Sequence, residues 1–320
     1  MTAAIYSSYG PPEVVTLKEV DVPIPADNEV LVKVHAATVN RTDCGFRSAS
    51  YFVSRFFSGL WKPKNNILGN EFAGVIESVG KEVSTFQVGE RVFGYNDTHF
   101  GAHAEYMVMA EKEALVSMPA NLTFYEAAAL TEGAHYALSI IRAARVKAGQ
   151  NVMVYGATGA IGSAAVQLLK YFGAHVTAVC NTPNVDLIQS LGADQIIDYT
   201  REDYLHTDQI FDFVLDAVGK SSFGKVKSMM SDKGIYISTE LGKNYENVVL
   251  AFFTPLSGGK KVLFPIPSIS KKDVGFFRDL AEMDKFRPVI DRQYPLEQIV
   301  DAYRYVETGQ KIGNVIITIN

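Results

Sequence analysis

Cysteine is scarce in this chain, which has only Cys44 and Cys180 among its 320 residues. Two cysteines in separate segments provide neither a disulfide framework nor the ligand spacing of a metal site. A reducing compartment is therefore expected. No charged leader followed by an apolar stretch follows Met1, so we expect no signal peptide and a cytoplasmic protein.

Long apolar runs and basic clusters are also missing. No run approaches the ~20 apolar residues that a membrane span requires, so we expect no membrane partner. The 30 basic and 35 acidic residues give a net charge of −5, which argues against nucleic acid as the main partner. The length, with 48% hydrophobic residues, allows a large core and predicts two domains.

The most informative motif that is present is a glycine turn at residues 152–162. An apolar run ends at Gly156, and Gly159 and Gly162 then open an amphipathic helix, after which His175–Cys180 reads as a second strand. This strand–turn–helix–strand pattern predicts a dinucleotide-binding turn, although a glycine-rich turn of another α/β protein is the alternative. The candidate cofactor-binding residues of the turn are Gly156, Ala157, Thr158, Gly159, Ala160, Ile161 and Gly162.

The end of the second strand indicates which dinucleotide binds. NAD sites usually place an acid there, whereas this chain continues with Asn181, Thr182 and Pro183 and has no acid until Asp186. A carboxylate would repel a 2′-phosphate and small polar groups accept one, so the segment favours NADPH, with Asn181 and Thr182 as candidate contacts. The preference should be moderate, because no Arg or Lys in this segment can grip the phosphate.

The sequence pattern of the chain changes at about residue 123. Before it, short alternating strands broken by Gly and Pro predict an antiparallel, barrel-like region. A helix is expected from Ala127 to Ala144, and strands then alternate with helices, which predicts an α/β doubly wound parallel sheet. We expect the tail after about residue 262 to return to the first domain, so that the second is inserted within it.

Several motifs together resemble the medium-chain dehydrogenase/reductase superfamily, in its zinc-free quinone oxidoreductase-like branch. They are residues 68–80, 86–94, 101–106, 191–194 and 216–219, with 287–291 and 313–317 near the end. The resemblance implies a GroES-like β-barrel catalytic domain over 1–122 and 263–320, and an inserted Rossmann NADPH-binding domain over 123–262. It also implies a homodimer, for which the candidate edge is the segment after Gly234, through Phe252 to Phe264, which is rich in Phe, Val and Leu.

The two positions that match zinc ligands in related enzymes are both asparagine here. The stretches read Asn40-Arg41-Thr42-Asp43 and Gly69-Asn70-Glu71, where zinc-dependent relatives have Cys and His. Asparagine is a poor zinc ligand beside thiolate or imidazole, so no metal is expected.

Without a metal, another group must assist the substrate carbonyl, and the resemblance implies Asn40 and Tyr51. The Tyr51 phenol would donate a proton to a developing enolate, and the Asn40 amide would orient substrate or cofactor. A lid aromatic and a turn cap are the respective alternatives. The resemblance also implies cofactor contacts at Tyr199, Val218 and Gly219. Gly133 and Asn314 depart from the family pattern, which often has Thr and Lys there.

The expected function is that of a zinc-independent, NADPH-dependent oxidoreductase. It would reduce a small-molecule quinone or an activated enone by hydride transfer, the cofactor carrying the chemistry. The alternatives are an enoyl-thioester reductase, an alcohol dehydrogenase and a non-catalytic NADPH-binding protein.

Overall fold

The computed structural model describes residues 1–50 and 55–320, with only the backbone of Phe57. The chain forms two compact units, one of Met1–Glu132 with Ile269–Asn320 and one of Gly133–Ser268. The first boundary lies after the predicted 122/123 because the short helix at Phe124–Ala128 packs on strands of the first unit, and the second lies at 268/269 where 262/263 was predicted.

Strands and helices are numbered here in chain order. The strands are β1 (Thr2–Ile5), β2 (Thr16–Glu19), β3 (Glu29–Val39), β4 (Glu71–Val79), β5 (Arg91–Tyr95), β6 (Tyr106–Ala110), β7 (Leu115–Ser117), β8 (Asn151–Tyr155), β9 (His175–Cys180), β10 (Gln195–Asp198), β11 (Phe211–Asp216), β12 (Met230–Ser238), β13 (Lys261–Leu263), β14 (Ile290–Pro295) and β15 (Asn314–Thr318). The helices are α1 (Arg41–Ser48), α2 (Arg55–Ser58), α3 (Phe124–Ala128), α4 (Glu132–Ala144), α5 (Ala160–Tyr171), α6 (Val185–Ser190), α7 (Phe223–Val226), α8 (Glu246–Phe253), α9 (Lys271–Glu282) and α10 (Ile299–Glu307). Among the described residues, no helix has both the length and the apolar character to cross a membrane.

The main sheet of the first unit has the strand order β14-β15-β3-β4-β5-β7, and β6 also pairs with β3. Strands β1 and β2 form a separate two-stranded antiparallel sheet. The pairs among β3 to β7 are antiparallel, as the alternating pattern predicted. By contrast, β14 and β15 are parallel, because α10 connects them as a crossover helix. Since β15 pairs with β3, the last strand of the chain joins the sheet that begins with β3.

The second unit is a parallel sheet with the strand order β10-β9-β8-β11-β12-β13. Numbered within the unit, this order is 3-2-1-4-5-6, the order of dinucleotide-binding sheets. Its core is apolar on both faces, with Met153, Phe211, Val214 and Tyr236 fully or almost fully buried. The strand order reverses between β8 and β11, and ligands of such sheets bind outside the carboxyl ends of the strands at that point.

The prediction of one helix from Ala127 to Ala144 is wrong, because the structure has two helices there. The structure ends α3 at Ala128 and starts α4 at Glu132. The break arises because the buried carboxylate of Glu71 accepts hydrogen bonds from the backbone N–H groups of Thr131 and Glu132. A carboxylate at this position satisfies N–H groups that have no partner within a new helix, so it favours a fresh helix start.

Candidate cofactor turn and buried polar cluster

The glycine turn connects β8 to α5, and the backbone conformation at its first position requires a glycine. Gly156 has a φ of +80°, which side chains rarely adopt. A Cβ built there would lie 2.6 Å from Cγ1 of Val218, in the turn that follows the neighbouring strand β11. Only glycine therefore allows these two turns to approach each other.

The other two glycines differ from each other in what surrounds them. A Cβ on Gly162 would lie 2.1 Å from the carbonyl oxygen of Gly156, so this glycine lets α5 pack against the turn. Gly159 has a φ of −72°, and the nearest atom to its Cβ would be 3.9 Å away, which leaves the space beside it open. Gly159 is also the N-cap of α5, and as a glycine it has no side chain that could cap the helix. An open backbone at a helix N-terminus is what an approaching pyrophosphate requires.

A buried carboxylate organises the turn after β11. Asp216 accepts hydrogen bonds from the backbone N–H groups of Val218 (3.1 Å), Gly219 (2.8 Å) and Ser221 (2.8 Å). Tyr236 adds a side-chain donor at 3.3 Å. Asp216 thus fixes the conformation of the two predicted cofactor contacts at the switch point of the sheet. The sequence did signal it, as an acid at the end of a buried strand.

An acidic side chain lies beside the end of β9, although no acid follows that strand directly in the sequence. The register of β10 on β9 sets Asp198 beside Cys180. The Asp198 carboxylate accepts from the Thr182 hydroxyl at 2.5 Å and from the Thr200 hydroxyl at 2.7 Å. The hydrogen bond from Thr182 is the main reason why the pKa of Asp198 is lowered. The prediction that no acid lies at the end of this strand is therefore wrong, because Asp198 of the neighbouring strand lies there.

The remaining predicted contacts with the adenosine side of the cofactor lie close to this carboxylate. Asn181 accepts a hydrogen bond from Asn184 at 2.5 Å through its amide oxygen. Tyr199 is half exposed and lines a cavity of about 420 Å³ with Tyr155, Arg201 and other residues of the 199–204 segment. The cavity lies at the carboxyl edge of the sheet.

In the first unit, the asparagines at the two zinc-ligand positions bond to each other. The Asn40 amide nitrogen donates to the Asn70 amide oxygen at 2.6 Å, and both residues are buried. Asn40 also donates to the Thr38 hydroxyl at 3.3 Å, and its oxygen caps α1 by accepting from the Asp43 N–H at 3.0 Å. Paired amides do not fit a zinc ion. Within the described ranges, no group of three or more His, Cys, Asp or Glu is placed to hold a metal.

Two buried glutamates lie beside this pair. Glu71 accepts from the Thr38 hydroxyl at 2.6 Å and, through its other oxygen, from the backbone and hydroxyl of Thr131. Glu132 accepts from Thr42 at 2.7 Å and from Asn70 at 3.3 Å. Burial raises the pKa of both carboxyls, and the charge of Glu71 raises that of Glu132 further. Because backbone N–H groups can only donate, Glu71 is the ionised member and Glu132 the one that takes up a proton.

Other predicted residues have plainer surroundings. Tyr51 lies outside the described residues. A Cβ on Gly133 would lie 2.5 Å from the carbonyl oxygen of Ala160, which explains why no threonine stands there. Asn314 is buried and donates to the Val289 carbonyl through both its backbone and its amide, so it is structural.

A cavity of about 440 Å³ opens in the first unit. Four of its lining residues are aromatic, and polar groups line it at Ser58, Lys64, Asn65, Asp97 and Thr98. Burial raises the pKa of Asp97. The aromatic lining residues are Tyr6, Phe46, Phe56 and Phe100. Aromatic side chains beside polar groups suit a small planar ligand.

Comparison with known proteins agrees with this geometry. Residues 26–120 match the alcohol dehydrogenase GroES-like domain, and residues 191–317 match the zinc-binding dehydrogenase family, a range that contains neither Asn40 nor Asn70. The chain is 33% identical to a 2-methylene-furan-3-one reductase of Solanum lycopersicum, over 99% of this chain and 79% of that protein.

Two further similarities cover nearly the whole chain. It is 30% identical to an NADPH-dependent alkenal/one oxidoreductase, chloroplastic, of Arabidopsis thaliana, over 99% of this chain and 79% of that protein. The solved quinone oxidoreductase from Coxiella burnetii superposes with a TM-score of 0.88 at 26% identity, covering 100% of this chain and 99% of that one. The α/β chain, with its GroES-like domain and parallel Rossmann sheet, therefore belongs to the medium-chain dehydrogenase/reductase superfamily, in its quinone oxidoreductase-like branch.

Proposed function

We propose that this protein is an NADPH-dependent oxidoreductase that reduces a quinone or an activated enone. The observation that carries the proposal is the glycine turn, which presents an open helix N-terminus at the switch point of a dinucleotide-binding sheet. The names of the relatives from tomato, Arabidopsis and Coxiella support the class of acceptor. The aromatic-walled cavity of the first unit has a size and lining suited to such acceptors.

The residues proposed to hold NADPH belong to four turns at one edge of the sheet, one after each of β8, β9, β10 and β11. The backbone of residues 156–162 receives the pyrophosphate, and Val218 and Gly219 form a wall fixed by Asp216. Asn181, Thr182 and Tyr199 surround the adenosine side. When bound, NADPH supplies the hydride, and the protein supplies orientation and a route for the proton.

Tyr51 remains the proposed proton donor, and Asn40 remains the residue proposed to orient substrate or cofactor. A phenol at position 51 donates a proton to the developing enolate. The Asn40 amide is held by three hydrogen bonds, so contact with substrate or cofactor would require it to exchange at least one of them. That cost favours a positioning role for Asn40 at the start of α1.

The substrate and the role of Tyr51 can be tested together. Tyr51→Phe keeps the ring and removes only the donor, so turnover with an enone should fall about 10²-fold, with KM changed less. A quinone can take its proton from water, so the loss with a quinone should be smaller. Unchanged turnover with both acceptors would assign Tyr51 to the lid alone.

We also propose that the protein is a homodimer joined at the β13 edge of the parallel sheet. Helix α8 lies against β13 and exposes Val249, Phe252 and Phe253, with Leu256 just beyond it at 80% exposure. An open sheet edge beside apolar side chains favours pairing with a second copy about a two-fold axis.

Light scattering tests the assembly. The wild-type protein should have twice the mass of the 35.1 kDa chain, and Phe252→Asp with Leu256→Asp should shift it toward the monomer. Ile24→Asp is the matched control, because Ile24 is 90% exposed in the other unit. A monomeric wild type at micromolar concentration would contradict the proposal.

The thiols support a cytoplasmic location, which we also propose. Cys44 and Cys180 are both free and buried, and burial raises the pKa of the two thiols to about 12 and about 11. The two cysteines form no disulfide with each other, whereas a disulfide would be expected in an oxidising compartment.

A further inference from the structure

The hydroxyl groups of Thr182 and Thr200, just beyond the ends of β9 and β10, already donate hydrogen bonds within the protein. Thr182 donates to one oxygen of Asp198 at 2.5 Å, and Thr200 donates to the other at 2.7 Å. The two hydroxyl groups also lie within hydrogen-bond distance of each other, at 2.7 Å, and either can be the donor of that bond, so both hydrogens are used within this cluster in every arrangement. A hydroxyl has one hydrogen, so each of these groups then offers only lone pairs to a ligand. They can accept from a ribose hydroxyl, but they cannot donate to a phosphate while Asp198 holds them.

A 2′-phosphate at this edge therefore needs a cation from elsewhere, and Arg201 is suitably placed. It lies three residues after Asp198, with Nε 3.5 Å from the Asp198 carboxylate, and its side chain is 74% exposed. It lines the same cavity as Tyr199. The guanidinium has five N–H donors in a fixed fork, so its contact with Asp198 leaves further donors for a phosphate.

The acidic groups around the cavity have also to be considered. Glu202 and Asp203 line it and are exposed, so solvent screens their repulsion of an anion. Asp198 is different, because it is only 9% exposed and directly contacts Arg201 and both threonines. Its charge weakens the attraction between Arg201 and a phosphate more than the exposed acids do.

We propose that Arg201 is the residue that recognises the 2′-phosphate of NADPH, and that Asp198 limits this recognition by holding Thr182 and Thr200 as acceptors. The pair sets how strongly the protein prefers NADPH over NADH. Asp198 with the two hydroxyls accepts from the ribose of NADH, and Arg201 adds affinity only when the phosphate is present. This inference rests on the NADPH dependence proposed above and adds the residues that decide it.

Binding of two nucleotides that differ only in the 2′-phosphate tests the inference without turnover. Calorimetry with 2′,5′-ADP and 5′-AMP should give tighter binding of 2′,5′-ADP by the wild-type protein. Arg201→Gln should weaken 2′,5′-ADP about tenfold and leave 5′-AMP within about twofold, because a charge-assisted hydrogen bond is lost only with the phosphate. Lys233→Gln is the control, since Lys233 is exposed toward the amino end of β12, at the opposite edge of the sheet.

Asp198→Asn should change the preference for 2′,5′-ADP in the opposite direction to Arg201→Gln. Removing the charge should strengthen 2′,5′-ADP relative to 5′-AMP in the same protein, so the ratio of the two affinities should rise. If wild type binds both nucleotides equally, the NADPH dependence itself fails. If wild type prefers 2′,5′-ADP and Arg201→Gln keeps that preference, or Asp198→Asn lowers it, the cofactor proposal stands and the inference about this pair is overturned.

Discussion

Two glycines of the cofactor turn should respond to the same substitution in opposite ways. Gly162→Ala places a methyl group 2.1 Å from the carbonyl oxygen of Gly156, so the backbone must shift. Overpacking of this kind costs about 1–3 kcal/mol of unfolding free energy. Gly159→Ala meets no atom closer than 3.9 Å and has an ordinary φ, so its cost should be about 1 kcal/mol or less, mainly from the altered N-cap.

The effect on NADPH should separate the two variants. The methyl group of Gly159→Ala enters the open space that the pyrophosphate is proposed to approach, so NADPH should bind at least about tenfold more weakly, a loss of about 1.4 kcal/mol. Urea unfolding gives the stability of each variant, and fluorescence titration gives the NADPH affinity. If Gly159→Ala binds NADPH like the wild type, or is destabilised as much as Gly162→Ala, the proposed use of this turn is refuted.

Three further predictions concern the first unit. Glu71→Gln should lower the unfolding free energy by about 3 kcal/mol in urea, because buried donors lose a charged acceptor; a loss below 1 kcal/mol would contradict its assigned role. Burial lowers the pKa of His103 to about 4, so its neutral form stabilises the fold above pH 6.5 and this contribution is lost as pH falls toward 4. The stability of wild type relative to His103→Gln should therefore fall by about 2 kcal/mol between pH 7.5 and pH 5, and a pH-independent difference would show that the ring is not held neutral. Elemental analysis should find less than stoichiometric zinc, and chelator should leave activity unchanged; one zinc per chain would contradict the interpretation of Asn40 and Asn70.

The parts of the fold that the sequence predicted well depend on residues close together in the chain. The glycine turn was legible because its strand, turn and helix lie within about 20 residues and each glycine has a local steric reason. The bounds of β9 agree with the predicted strand His175–Cys180 because its apolar pattern is uninterrupted. The family followed from motifs spread over the whole chain, and the comparisons confirm it.

The parts that were missed depend on contacts between distant residues. Asp198 reaches the end of β9 only through the register of two strands, so the sequence around Cys180 could not reveal it. The break before α4 depends on Glu71, which is about 60 residues earlier in the chain. The same holds for Arg201, whose importance appears only once Thr182 and Thr200 are found to donate to one carboxylate.

The most direct test of the account is to measure NADPH consumption by the purified protein against a panel of acceptors. A quinone or an α,β-unsaturated ketone should be reduced with one NADPH consumed per acceptor, more efficiently than with NADH, and without added metal. Turnover of neither class, with oxidation of a simple alcohol or reduction of an enoyl thioester as the sole activity, would contradict the central claim.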